Sequence, residues 1–177
     1  MLPCVAFVRF VTLGRGGQSN DLLRRAYREA GATESATFLA TGNVVFETRS
    51  EPVAVAARAR SLLRDWIGFD QPAHVRPLHA LAAAVDRDPF QGAPSGPVQT
   101  RFVTFLPAPS PDLPALPASS PRGDLVVFAA DGADVYSVTR LVGGREGSPN
   151  AFVERHVGPG LTSRNWNTVE RLVATFT

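Results

Sequence analysis

Apolar runs and amphipathic stretches alternate along the chain, a pattern typical of a protein with both strands and helices. Runs rich in β-branched and aromatic residues predict strands at residues 5–13, 37–48, 73–76, 98–106, 125–129 and 135–141. Helical spacing of apolar positions predicts helices after a cap at Ser19 or Asn20, after a cap at Ser50, from 78 to 87, from 148 to 157 and from 168 to 174. This order predicts an α+β fold of two small lobes, with helices packed on mixed or antiparallel sheets.

Two segments break the pattern and suggest how the chain is divided. Residues 91–97, Gln-Gly-Ala-Pro-Ser-Gly-Pro, predict the lobe boundary, with a first lobe over 1–95 and a second, β-rich lobe over 96–177 that ends in two helices. Six prolines within residues 107–121 predict a semi-rigid surface connection inside the second lobe.

The amino-acid composition limits the reactions and ligands that the chain can support. The 177 residues are 44% hydrophobic, which is enough for a core, and the formal charge is +2. All 18 basic residues are arginine, so Schiff-base chemistry and a P-loop lysine are excluded.

Cys4 is the single cysteine, so no intramolecular disulfide forms, and no targeting pattern is visible; both observations favour a cytoplasmic protein. No apolar run reaches bilayer length and no histidine spacing suits a metal, so we expect no membrane span, no metal and no cofactor.

A glycine-rich loop after the first strand is one candidate binding element. Gly14, Gly16 and Gly17 precede the start of the first helix, where open N–H groups bind phosphate or carboxylate. The alternative is a plain turn that uses glycine for positive φ angles.

Two polar segments are the other candidates. Asn43, in Thr-Gly-Asn within the second strand, suits either a ligand amide or a β-bulge that it holds in place. Residues 164–167 combine the forked donors of Arg164, the amides of Asn165 and Asn167, and the ring of Trp166. The structural alternative is a corner in which Asn167 caps the last helix and Trp166 fills the core.

Three segments together resemble a bacterial protein family, domain-of-unknown-function family 1697. They are residues 37–46, Thr-Phe-Leu-Ala-Thr-Gly-Asn-Val-Val-Phe, residues 88–90, Asp-Pro-Phe, and residues 162–169, Thr-Ser-Arg-Asn-Trp-Asn-Thr-Val. The resemblance implies a small cytoplasmic α+β protein of two related lobes and implies no activity. The family's first loop usually reads Arg-Gly-Ile-Asn-Val-Gly-Gly. Here Arg9 and Gly14 match, whereas residues 10–12 are Phe-Val-Thr and Arg15 takes the second glycine position.

These observations lead to a binding hypothesis. We expect a small anionic ligand between the lobes, held by Arg9, Asn43, Arg164 and the amides of residues 14–17, without evident catalysis. One alternative is nucleic-acid binding through arginines 24, 25, 28, 58, 60 and 64 on the first two helices. A second is an enzyme, although the residues define no catalytic constellation. The hydrophobic strands and the proline-rich segment also permit a homodimer.

Overall fold

The computed structural model describes residues 2–177 and contains two compact units, Met1–Leu81 and Ala82–Thr177. Each unit has its own main antiparallel sheet with helices packed on it, so the predicted α+β class is confirmed.

The first unit follows the order βαββαβ. Its elements are β1 (Cys4–Val8), α1 (Asn20–Glu29), β2 (Ala32–Phe38), β3 (Asn43–Thr48), α2 (Pro52–Ile67) and β4 (Ala73–Pro77). The sheet order is β2-β3-β1-β4 with every neighbour antiparallel, which is the ferredoxin-like arrangement. The helix α3 (Leu78–Arg87) follows β4 directly.

Alternation along the strands builds the core of this unit. Cys4, Ala6 and Val8 of β1 lie in one cluster with the apolar faces of α1 and α2. The Tyr27 ring of α1 lies 5.1 Å from the Phe46 ring of β3. The helix α1 begins where predicted, because Ser19 Oγ accepts a hydrogen bond from Leu22 N at 3.1 Å.

The second unit has a five-stranded sheet in the order β11-β5-β8-β7-β6. Its elements are β5 (Thr100–Phe105), β6 (Ala118–Ser119), β7 (Leu125–Asp131), β8 (Asp134–Thr139), α4 (Pro149–Val157), β11 (Thr162–Asn165) and α5 (Trp166–Phe176). A 3₁₀ turn over Pro89–Gly92 precedes β5, and β9 (Leu141–Val142) and β10 (Arg145–Glu146) form a separate small hairpin.

The two units share one strand order. If the strands β5, β7, β8 and β11 are numbered one to four, their spatial order is 2-3-1-4, as it is for β1 to β4. In the first unit the crossover from strand one to strand two is the helix α1. In the second unit it is the proline-rich segment with β6, because a run of prolines cannot supply the N–H donors of a helix.

Several sequence predictions of local structure are wrong. Residues 37–48 are not one interrupted strand but parts of two strands, β2 and β3, which pair as a hairpin. The first strand ends at Val8 rather than at residue 13, and Phe10 adopts a φ of 54° in the position that the family usually fills with glycine. The N-cap of α2 is Glu51 rather than Ser50, and it makes no side-chain cap bond. In contrast, the prediction of mixed or antiparallel sheets is confirmed, since every strand pair within residues 2–177 is antiparallel.

Candidate functional site

The glycine-rich loop of the first unit is largely closed on itself. Gly14, Gly16 and Gly17 have φ angles of 82°, 57° and 79°, a left-handed region that glycine adopts without steric cost. Gly14 N donates to Gln18 O at 2.9 Å and Arg15 N donates to Thr12 O at 3.2 Å. Within residues 2–177, the N–H groups of Gly16 and Gly17 make no hydrogen bond to the protein. The loop is therefore a self-bonded turn with two open amides.

Asn43 closes the β2–β3 hairpin. Its side chain is buried, and its Nδ2 donates to Phe38 O and to Thr41 Oγ1, both at 3.0 Å. Val8 N donates to Gly42 O at 2.8 Å, so this turn lies beside the end of β1 and the start of the loop. Both side-chain N–H groups of Asn43 are thus used by its own hairpin.

Arg9 begins the same loop, at the end of β1. Its backbone N donates to Pro72 O at 3.0 Å, and its guanidinium carbon lies 3.9 Å from the centre of the Phe10 ring. Arg9 and Asn43 therefore lie at the same end of two neighbouring strands, β1 and β3.

Arg164 lies in the interior of the second unit, on β11. Its Nη1 donates to Thr162 Oγ1 at 2.8 Å and to Ser163 O at 3.0 Å. Burial lowers the pKa of Arg164 to about 10, so the side chain still carries its charge at neutral pH.

Trp166 fills the core of the same unit. It is 1% exposed, and its ring lies 5.4 Å from Phe90 and 5.8 Å from Tyr136. Phe90 belongs to the Asp-Pro-Phe segment and Trp166 to the Arg-Asn-Trp-Asn segment, so two of the segments that carry the family resemblance meet here. Asp88 Oδ1 accepts a hydrogen bond from Phe90 N at 3.1 Å and fixes the turn that delivers the ring.

An open polar depression of about 420 Å³ lies at the start of α5, with Arg101, Asn165 and Asn167 in its wall. The cap of α5 is Asn165 rather than the predicted Asn167, and its Oδ1 accepts a hydrogen bond from Asn167 N at 3.0 Å. Pairing of Asn165 with Phe102 places the adjacent Arg101 beside this helix start. Sequence reasoning missed Arg101, since nothing local to residue 101 indicates this neighbourhood.

Arg101 is positioned by two contacts. Its Nη2 lies 3.4 Å from Glu170 Oε2, and its guanidinium carbon lies 5.3 Å from the centre of the Phe90 ring. Its side chain remains 40% exposed and lines the depression.

Most arginines behind the nucleic-acid alternative have acidic partners. Ion pairs join Arg24 to Asp21, Arg25 to Glu29, Arg60 to Asp70 and Arg64 to Asp65. Arg58 Nε donates to Ala30 O at 2.8 Å and satisfies the end of α1. These pairs reduce the positive charge that the two helices present to a polyanion.

No helix within residues 2–177 is long and apolar enough to cross a bilayer. The same residues hold no group of three or more His, Cys, Asp and Glu side chains placed to bind a metal ion.

Fold and candidate site together define an α+β protein with two main antiparallel sheets and with arginine and asparagine side chains at a helix start. The chain belongs to the family described as "Protein of unknown function (DUF1697)", whose model matches residues 1–136, and this confirms the resemblance seen in the sequence. No curated protein matches the chain.

Among solved structures, the chain is similar to a conserved bacterial protein of Streptococcus pneumoniae. The TM-score is 0.66 at 13% sequence identity, over 99% of this chain and 98% of that one. At this identity the likeness establishes the fold alone.

Proposed function

We propose that the protein binds a small anion, a carboxylate or a phosphate, in the depression formed by Arg101, Asn165 and Asn167. The observation that carries the proposal is the convergence of one partly exposed guanidinium and two carboxamides on one concave surface. This site draws on the second unit alone. It keeps Asn165 and Asn167 from the sequence hypothesis and adds Arg101.

Hydrogen-bonding capacity supports this choice. Asn165 uses its Oδ1 for the cap, and its Nδ2 makes no hydrogen bond to any residue in 2–177. The side-chain amide of Asn167 likewise has no protein partner in that range. Carboxamide N–H groups and a guanidinium are donors, so the complementary ligand is an acceptor with negative charge.

Electrostatics at the helix start act in the same direction. The positive end of the α5 dipole adds about 0.3–1 kcal/mol for a negative charge close to the first turn. Glu170 acts against binding, because its carboxylate lies 3.4 Å from Arg101. We therefore expect a weak site selective for compact anions, which can reach the guanidinium from the side opposite Glu170.

The test is a titration of the ¹⁵N-labelled protein with inorganic phosphate and, separately, with acetate, followed by NMR. The expected result is saturable movement of the amide signals of residues 98–101 and 165–168. Arg101→Gln should weaken binding about tenfold or more, since it removes a charge-assisted bond, and Asn167→Ala should weaken it about two- to tenfold.

Arg145→Gln is the matched control, because Arg145 is an exposed arginine of the same unit outside the depression. It should bind both anions like the unmodified protein. Thermal unfolding of each variant checks that the fold is intact. Signals that do not saturate, or equal affinity for the Arg101 and Arg145 variants, would refute the proposal.

A further inference from the structure

A second concave surface of the second unit runs between α4 and the proline-rich segment, and we name it the α4 groove. It consists of two adjoining depressions of about 330 and 380 Å³, which share Pro121, Phe152 and Arg155. The apolar side chains in its wall are those of Pro114, Ala118, Pro121, Leu125, Ala151 and Phe152. The volumes fall in the range typical of small-molecule sites, roughly 300–1,000 Å³.

A glycine allows the wall of this groove to close. A Cβ on Gly147 would lie 2.7 Å from Leu125 Cβ and 2.8 Å from Asp124 O, closer than packed atoms approach. Glycine here lets the start of α4 lie directly against the start of β7. The groove is therefore formed by close backbone packing rather than by flexible side chains.

The single carboxylate that borders the groove within residues 2–177 is already neutralised. Asp124 is buried and accepts hydrogen bonds from Ser120 Oγ at 2.6 Å and from Arg122 Nε at 2.8 Å. These contacts, Ser120 first, hold the pKa of Asp124 below its usual range. Its charge is thus offset by Arg122 and does not repel an anion from the groove.

Arg155 remains as a positioned cation at the centre of the groove. Its Nε donates to Ala151 O at 3.1 Å, and its guanidinium carbon lies 5.8 Å from the centre of the Phe152 ring. No carboxylate of residues 2–177 forms an ion pair with it. His156 also lines the groove, with its ring centre 5.2 Å from that of Phe152.

We propose that the α4 groove binds a small amphipathic carboxylate, with its apolar body on Pro121 and Phe152 and its carboxylate on Arg155. An apolar floor excludes a compact, fully hydrated anion such as phosphate as the preferred occupant. The guanidinium of Arg155 has no acidic partner within residues 2–177, so it disfavours a neutral or cationic ligand in the groove. The α4 groove shares no lining residue with the depression at Arg101, so this inference is independent of the proposed function.

The test uses 3-phenylpropionate as the probe, with the neutral 3-phenylpropanamide and inorganic phosphate as matched comparisons. We expect 3-phenylpropionate to cause saturable amide shifts at residues 118–125 and 147–156; shifts at residues 98–101 and 165–168 would report the separate site at Arg101. At the α4 groove, both comparison compounds should bind about tenfold more weakly or worse, because the amide lacks the charge and phosphate lacks the apolar body.

Two variants separate charge from shape. Arg155→Gln should weaken binding of 3-phenylpropionate about tenfold or more, because it removes the charged donor. Ala151→Leu keeps Arg155 but fills the floor, and it should weaken binding as well. Arg145→Gln should bind like the unmodified protein.

Equal affinity for 3-phenylpropionate and 3-phenylpropanamide would overturn the proposal. So would unchanged binding by Arg155→Gln, or the absence of saturable shifts at residues 118–125 and 147–156. Loss of binding in Arg101→Gln with no loss in Arg155→Gln would assign the probe to the other depression and overturn the proposal too.

Discussion

Replacement of Gly42 by alanine gives a sharp test of how the first unit is built. Gly42 lies in the β2–β3 turn with a φ of 74°, and its carbonyl oxygen accepts a hydrogen bond from Val8 N at 2.8 Å. A Cβ there would lie 2.6 Å from Val11 Cγ2 and 2.9 Å from Val8 O. Rotation of the Val11 side chain can move its Cγ2 but not its Cβ, which also lies 2.9 Å away, and the carbonyl of Val8 is held at the end of β1.

Two costs add in the alanine variant. A left-handed φ angle costs an L-residue about 1–2 kcal/mol, and an added methyl group in a filled space costs roughly 1–3 kcal/mol. Gly42→Ala should therefore lower the free energy of unfolding by about 2–5 kcal/mol, a large part of the roughly 5–15 kcal/mol typical of a domain.

Urea unfolding followed by circular dichroism measures the loss, and Gly14→Ala is the matched control. Gly14 has a similar φ of 82°, but no heavy atom lies within 4 Å of a Cβ built there. The control should show only the conformational cost, about 1–2 kcal/mol. Equal destabilisation of the two variants would refute the argument that the hairpin turn packs tightly on β1.

Two further predictions concern single hydrogen-bonded groups. Ser19→Ala removes the cap of α1 and should lower the free energy of unfolding by about 1 kcal/mol, measured by the same urea assay; no loss would contradict the cap. The pKa of Asp124 is lower in the folded than in the unfolded protein. The ionised carboxylate therefore stabilises the fold fully above the unfolded pKa of about 3.9, and this stabilisation is lost as the pH falls through the folded pKa. Urea midpoints between pH 7 and pH 3 should therefore fall less steeply for Asp124→Asn than for the unmodified protein, and equal slopes would contradict this role.

Much of the fold could be predicted from the sequence, because local signals there are strong. Ser19 and Ser148, each in front of an amphipathic stretch, mark helix starts that the structure confirms. The strand β11 was missed because Thr162–Asn165 is polar and has no alternation. Its conformation comes from pairing with β5, which lies far away in the chain.

The candidate site was less predictable for the same reason. Asn165 and Asn167 form a recognisable local motif. Which of the two caps α5 depends on whether Trp166 is part of that helix. Burial of its ring against Phe90 and Tyr136 makes it the first residue of α5. Arg101 is brought in by strand register alone, and no single-sequence pattern reports register between distant strands.

The shared strand order has a consequence for the time course of folding. In each unit the first strand made becomes a central one: Cys4 pairs with Phe46 and Pro77, and Phe105 pairs with Asp134 and Thr162. Such distant pairings raise contact order and slow the search for the native state. During synthesis the apolar β1 therefore has no β-partner until β3 has emerged, and its second edge stays open until β4 has followed. The last strand of each unit, β4 or β11, covers the remaining open edge of the central strand. A chain halted just before that strand would leave the unpaired backbone groups of β1 or β5 exposed to neighbouring chains.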